Sequence, residues 1–187
     1  MSYVFSHAFI PLSILFIFSK KLNLNSKYIL YLSIFGIFPD FDAIFRHRYT
    51  FHNLFILVIP ILAFIFIKEI RQISGIITYY LSSHLILDMF NGGISALYPF
   101  SNKILFINAE IVQTYNLKTI TFLTKYGFVD KVVETISENS VYGIVSSENF
   151  GIIVLLLIMI LIYVINNHFR RRKEKRAFIY DIYRPRR

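Results

Sequence analysis

Apolar residues in this chain come in long blocks separated by short polar breaks, and five blocks stand out. The first runs from Tyr3 to Ser19 and contains His7. The second runs from Asn25 to Pro39. The third, Phe51 to Ile67, has Pro60 inside it. The fourth, Ile73 to Phe90, is stopped by Asn91-Gly92-Gly93. The fifth, Phe150 to Ile165, has no Asp, Glu, Lys, Arg or His. A bilayer-spanning helix needs about 20 mainly apolar residues, with a range of roughly 17 to 25. The blocks therefore predict an all-α integral membrane bundle of about five transmembrane helices, the second being the shortest. Pro60 predicts a kink. No internal repeat and no low-complexity linker interrupts the pattern.

Composition agrees with a membrane protein. Of the 187 residues, 56% are hydrophobic and only 17% are charged, whereas a soluble domain is near a quarter charged. Intrinsic disorder is excluded by the apolar content, and a disulfide-stapled module by the absence of cysteine. The net charge of +9 would point to nucleic acid in a soluble protein. Its placement gives a different reading. Lys20, Lys21 and Lys27 lie between blocks one and two, and Lys68 and Arg71 between blocks three and four. Nine more basic residues follow Phe169. The positive-inside rule then puts the N-terminus outside and the tail 169–187 in the cytoplasm, beside anionic headgroups. No nucleic-acid partner is expected. Arg46 and Arg48 are the exceptions, on the outer side.

Histidines and aspartates gather on that outer side. His7 is in the first block. Asp40 and Asp42 follow Pro39, His47 and His52 flank the third block's start, and His84 and Asp88 end the fourth. Residues four apart on a helix share a face, so His84 and Asp88 make a two-ligand clip. In an extended segment Asp40 and Asp42 point the same way. Ionisable residues within membrane helices are costly and default to function. Each also has a structural alternative, as a loop cap, a helix-end residue or a hydrogen-bonded interfacial histidine. Together they predict one metal site of His7, Asp40, Asp42, His52, His84 and Asp88. A histidine and carboxylate set without thiolate suits zinc, with manganese or iron as alternatives, and one or two ions.

The order of these pieces resembles the membrane-bound metal-dependent hydrolase family of bacteria and archaea. The likeness is carried by Ser6-His7, Phe38-Pro39-Asp40-Phe41-Asp42 and His47-Arg48 with Phe51-His52-Asn53-Leu54. It continues through Ser83-His84-Leu85-Ile86-Leu87-Asp88 and Tyr98-Pro99-Phe100-Ser101, covering about the first hundred residues. That family is distantly similar to the zinc-dependent phospholipase C and single-strand nuclease group, in which a His-x-x-x-Asp pair on a helix binds zinc. His84 and Asp88 match that pair. Tyr49 and Phe51-His52-Asn53 stand where the family often has Gly after His-Arg and Thr-His-Ser. The second His-x-x-x-Glu pair of the soluble enzymes has no clear counterpart, so a three-zinc cluster is not implied.

The expected activity is phosphoester hydrolysis at the outer membrane face, on a phospholipid or lipid-linked phosphate. Asp40, Asp42, His47 and Arg48 are the catalytic candidates. An Asp serves as base for a metal-activated water, and Arg48, with Arg46, as a forked phosphate donor. Snorkelling to headgroups is the competing role for the two arginines. A metal or proton transporter and a non-catalytic membrane partner are the other readings. A transporter needs polar groups continuing to the inner face, and those are nearly absent. The domain expected is 1–168, with 94–149 as an outer amphipathic cap or loop. Within it, Phe128 to Asn139 places Val129, Val132, Val133 and Ile136 at helical spacing and predicts an outer amphipathic helix.

Overall fold

The computed structural model describes residues 3–44, 51–114, 120–129, 141–145 and 147–182. Five α-helices run in chain order: α1 (Tyr3–Leu22), α2 (Ser26–Tyr31), α3 (Val58–Phe66), α4 (Arg71–Phe90) and α5 (Ser147–Ile182). Short 3₁₀ turns at Leu32–Gly36, Phe38–Ile44 and Leu54–Leu57 connect α2 to α3. Between α4 and α5 lies a three-stranded antiparallel sheet of β1 (Ile104–Thr114), β2 (Ile120–Val129) and β3 (Val141–Val145), in the order β2-β1-β3.

Two expectations are corrected by this architecture. The chain is not all-α, and its described residues do not contain five membrane-spanning helices. Among the described residues one helix, Asn149–Phe169 within α5, is long and apolar enough to cross a bilayer. The second apolar block divides into α2 and two 3₁₀ turns. The third yields a helix of Leu54–Phe66, whose α-helical part is nine residues, roughly 14 Å of rise against a hydrocarbon core of about 30 Å. Hydrophobicity over 15 to 17 residues does not specify one continuous helix, and here Gly36, Pro39 and Asn53 divide the runs. Asn53 accepts from the backbone of Phe55 and Ile56 and starts a new turn inside the third block.

The sheet has its own local cause. β2 reads Ile-Thr-Phe-Leu-Thr-Lys-Tyr-Gly-Phe-Val, rich in β-branched and aromatic residues. Phe122, Thr124, Tyr126 and Phe128 alternate along it with period two, so they share one face. Phe128 and Val129, expected to open an amphipathic helix, are the last two residues of β2, paired with Leu105 and Ile104. The rest of that helical pattern falls in 130–140, outside the described residues.

α4 is the central element. Ile76, Tyr80 and Leu87 on it pack with Ile14 and Leu15 of α1, Ile29 of α2, and Leu155 and Met159 of α5. The Tyr80 hydroxyl donates to the Ile29 carbonyl at 2.8 Å, and the Tyr79 hydroxyl to the Pro11 carbonyl at 3.1 Å. A second cluster of Leu85, Ile94 and Ala96 ties α4 to the start of β1. There Gly93 adopts φ +90°, and a Cβ would sit 2.5 Å from Ile104 Cγ2, so only glycine lets the chain turn from α4 against the sheet. Ser147 fixes the sheet to α5, since its hydroxyl donates to Ile107 O and accepts from Ala109 N, both at 3.2 Å.

Candidate metal centre

Four separate elements deliver His7, Asp40, His52, His84 and Asp88 to one point. His84 and Asp88 lie one turn apart on α4 and are both buried. His52 precedes the capping residue Asn53, and the next backbone N–H, from Leu54, donates to Ala96 O at 3.1 Å. Asp40 follows the buried Pro39 in its 3₁₀ turn. His7 is on α1.

The geometry is close. His52 Nε2 stands 2.9 Å from Asp88 Oδ2, and His84 Nε2 is 3.6 Å from the same oxygen. His7 Nε2 is 3.6 Å from Asp88 Oδ1. Asp40 Oδ1 lies 3.7 Å from both His52 Nε2 and His84 Nε2. The two imidazole nitrogens of His52 and His84 face each other at 3.2 Å. Donor atoms of His7, Asp40 and His84 form one triad within 4.8 Å of one another, and those of His52, His84 and Asp88 form a second.

The environment of these groups is informative. His84 Nδ1 lies 2.7 Å from the Gly36 carbonyl. A carbonyl only accepts, so Nδ1 is the donor and the ring turns its Nε2 toward the cluster. This is the arrangement that orients a metal-ligating histidine. Both ring nitrogens of His7 and Oδ2 of Asp40 are buried without a hydrogen-bond partner. Such atoms are costly unless another group, such as a cation, satisfies them. Asp88 sits in the last turn of α4, where the helix dipole disfavours an anion. Three histidines surround it there instead. Asp40 is the most open member, with 16% of its side chain exposed against 0% for His52. Burial works against its charged form, but the facing His52 imidazole and the charge of His84 prevail, holding its carboxyl below the usual range.

The described residues thus bring together five of the six metal candidates. Asp42 lies two residues beyond Asp40 in the same turn, its side chain outside the described part. His47, Arg46 and Arg48 also fall outside the described residues.

Gly36 is a site residue that the pattern of titratable side chains does not reveal. Its carbonyl orients His84, and a Cβ at this position would lie 3.1 Å from both Ala8 Cα and His7 O. Pro11 lacks the N–H that would otherwise bond His7 O within α1, and Gly36 packs against that carbonyl. The signal in the sequence is a single glycine inside the apolar run Ser33-Ile34-Phe35-Gly36-Ile37. Gly36→Ala is expected to destabilise the fold by about 1–3 kcal/mol through overpacking. It should also displace His84. A melting temperature equal to that of the unaltered protein would contradict this.

The family model described as YdjM inner membrane protein matches residues 1–173. The chain belongs to that family. Membership makes it a membrane protein, and the match covers both the five-residue cluster and the apolar part of α5. No curated protein and no solved structure matches the chain. In this family member, the buried histidine and aspartate groups could hold a metal ion.

Proposed function

We propose that this chain is a membrane-bound, metal-dependent hydrolase that cleaves a phosphoester of a lipid or lipid-linked substrate. The observation that carries the reading is the convergence of five nitrogen and oxygen donors, three of whose buried atoms have no hydrogen-bond partner. His7, Asp40, His52, His84 and Asp88 would hold the ion. Zinc suits this set best, with manganese and iron as alternatives. Both triads include His84, and with Nδ1 engaged by Gly36 O its ring has one nitrogen left for an ion. One ion is therefore favoured over two independent ones.

Held by these residues, a zinc-class ion would supply Lewis acidity and a water of lowered pKa, toward about 7. Asp40, the most open member of the cluster, would serve as the base that takes a proton from the attacking water. His84, fixed by Gly36, keeps the donor set in register. Asp42 and His47 are further acid or base candidates, and Arg48, with Arg46, is assigned to the phosphate.

The rim supports a lipid-type substrate. Phe38 and Phe41, flanking Pro39 and Asp40, are exposed aromatics with ring centroids 6.3 Å apart, and Phe51 stacks on Phe38 at 5.3 Å. The apolar exposure of Ile17 on α1 (71%) and Ile59 on α3 (79%) supports membrane contact beyond α5, as in a multi-pass cell-membrane protein. Elemental analysis of detergent-purified protein should find about one zinc-class ion per chain, one imidazole lone pair binding one ion. A phosphoester screen should show turnover that a chelator abolishes and added metal restores. Metal-free protein after purification with zinc and manganese present would sink the proposal.

A further inference from the structure

A second feature lies at the opposite end of α4 from the metal centre. A groove of about 490 Å³ opens between α1, α3, α4 and α5, with walls of Leu15, Phe64, Ile76 and Met159. Ligand pockets commonly fall between about 300 and 1,000 Å³. Lys68 and Arg71 line the groove, with the Gln72 amide beside them, and no carboxylate lines it. Arg71 is held in place: its Nε donates to Phe64 O at 3.1 Å, its Nη2 to Ile65 O at 3.4 Å, and its guanidinium lies 5.7 Å from the Phe64 ring centroid. For the Lys68 ammonium, no hydrogen-bond or ion-pair partner occurs among the described residues. Lys21 stands nearby at the end of α1, over Tyr163 of α5, so the same end of the bundle gathers further positive charge.

We propose that this groove holds one anionic membrane phospholipid, its phosphate on Lys68 and Arg71 and an acyl chain between the helices. Charge complementarity selects the headgroup, because among the described residues no lining carboxylate balances the charges of Lys68 and Arg71. The apolar walls select a lipid rather than a soluble phosphate. Basic pockets between membrane helices are known to take anionic headgroups in this way. Arg71 is 17 residues from Asp88 along α4, about 25 Å of helix rise, so the bound lipid is distinct from a substrate of the metal centre. The inference therefore stands whether or not the protein is a hydrolase.

The test is native mass spectrometry of the full chain in detergent, titrated separately with dioleoyl phosphatidylglycerol and dioleoyl phosphatidylcholine. A one-to-one phosphatidylglycerol adduct is expected, with a much weaker phosphatidylcholine adduct. Lys68→Gln should weaken phosphatidylglycerol binding about 5-fold, and Lys68→Gln with Arg71→Gln about 25-fold, taking about 1 kcal/mol for each basic residue near a headgroup. Arg71 also joins α3 to α4, so the single Lys68 variant guards against loss of the fold. Metal content should not change in it. Equal binding of the two lipids, or a Lys68→Gln protein that binds phosphatidylglycerol like the unaltered chain, would overturn the proposal.

Discussion

Asp88→Asn is expected to strip the bound metal from the purified protein and to lower phosphoester turnover by more than 100-fold. Asp88 is the hub of the cluster, since its two oxygens face His7, His52 and His84 at 3.6, 2.9 and 3.6 Å. Asparagine keeps the shape and removes the charge. Altering a residue that merely orients a ligand typically costs about 10–100-fold in metal affinity or activity, so losing a ligand should exceed that. The fold need not collapse, because the amide can still hydrogen-bond His52. Elemental analysis and a melting curve on the same sample separate the two effects. Normal metal content in a folded Asp88→Asn protein would remove the ion from this cluster. Acid provides a parallel test. Each histidine ligand must give up its proton to bind, so metal content should fall as pH is lowered.

The second large effect concerns α5. Leu157 and Leu161 are both exposed on the membrane-length stretch of this helix. In a soluble protein, exposed positions tolerate substitution within about 0.5 kcal/mol. In a bilayer, an aspartate near the helix centre costs about 2.5–3.5 kcal/mol, so two cost roughly 5–7. Leu157→Asp with Leu161→Asp should therefore move most of the chain out of the carbonate-resistant membrane fraction. A double variant that fractionates like the unaltered protein would show that α5 does not span. The 36-residue helix is about 54 Å long, well beyond the hydrocarbon core, and its basic stretch Arg170–Arg176 follows the apolar part directly. That order is what an anchor with a headgroup-contacting collar requires.

Much of the candidate site was legible in the residues themselves. His84 and Asp88 are four apart on a helical pattern, and helical geometry alone makes them neighbours. Asp40 after Pro39 and His52 before Asn53 sit at breaks in apolar runs, where a polar residue is conspicuous. Gly36 was not legible, because its role comes from a backbone carbonyl and a missing Cβ rather than from a titratable side chain. The groove at Lys68 and Arg71 was not legible either. Positive charge between apolar blocks reads as topology, and only packing shows a cavity behind it.

The fold was less legible than the site. Counting apolar residues treats every block as one helix. The second and third blocks are instead broken into short turns that carry Asp40 and His52 to α4. The sheet is hidden in the sequence because the helical spacing of Val129, Val132, Val133 and Ile136 overlaps the end of the period-two run Phe122, Thr124, Tyr126 and Phe128. β2 is held by its pairing with β1, and the pairing partners lie elsewhere in the chain.

By itself, the sequence determined that the protein is built to meet lipid and that it carries histidines and aspartates at separate breaks in its apolar pattern. These are local properties, set by side-chain transfer energies and by spacing along one segment. Only the tertiary structure decided which of those residues meet, which imidazole nitrogen faces the cluster, and which apolar blocks are continuous helices. Those outcomes depend on contacts between segments tens of residues apart, such as Gly36 with His84 and β1 with β2. No single stretch of the chain contains that information.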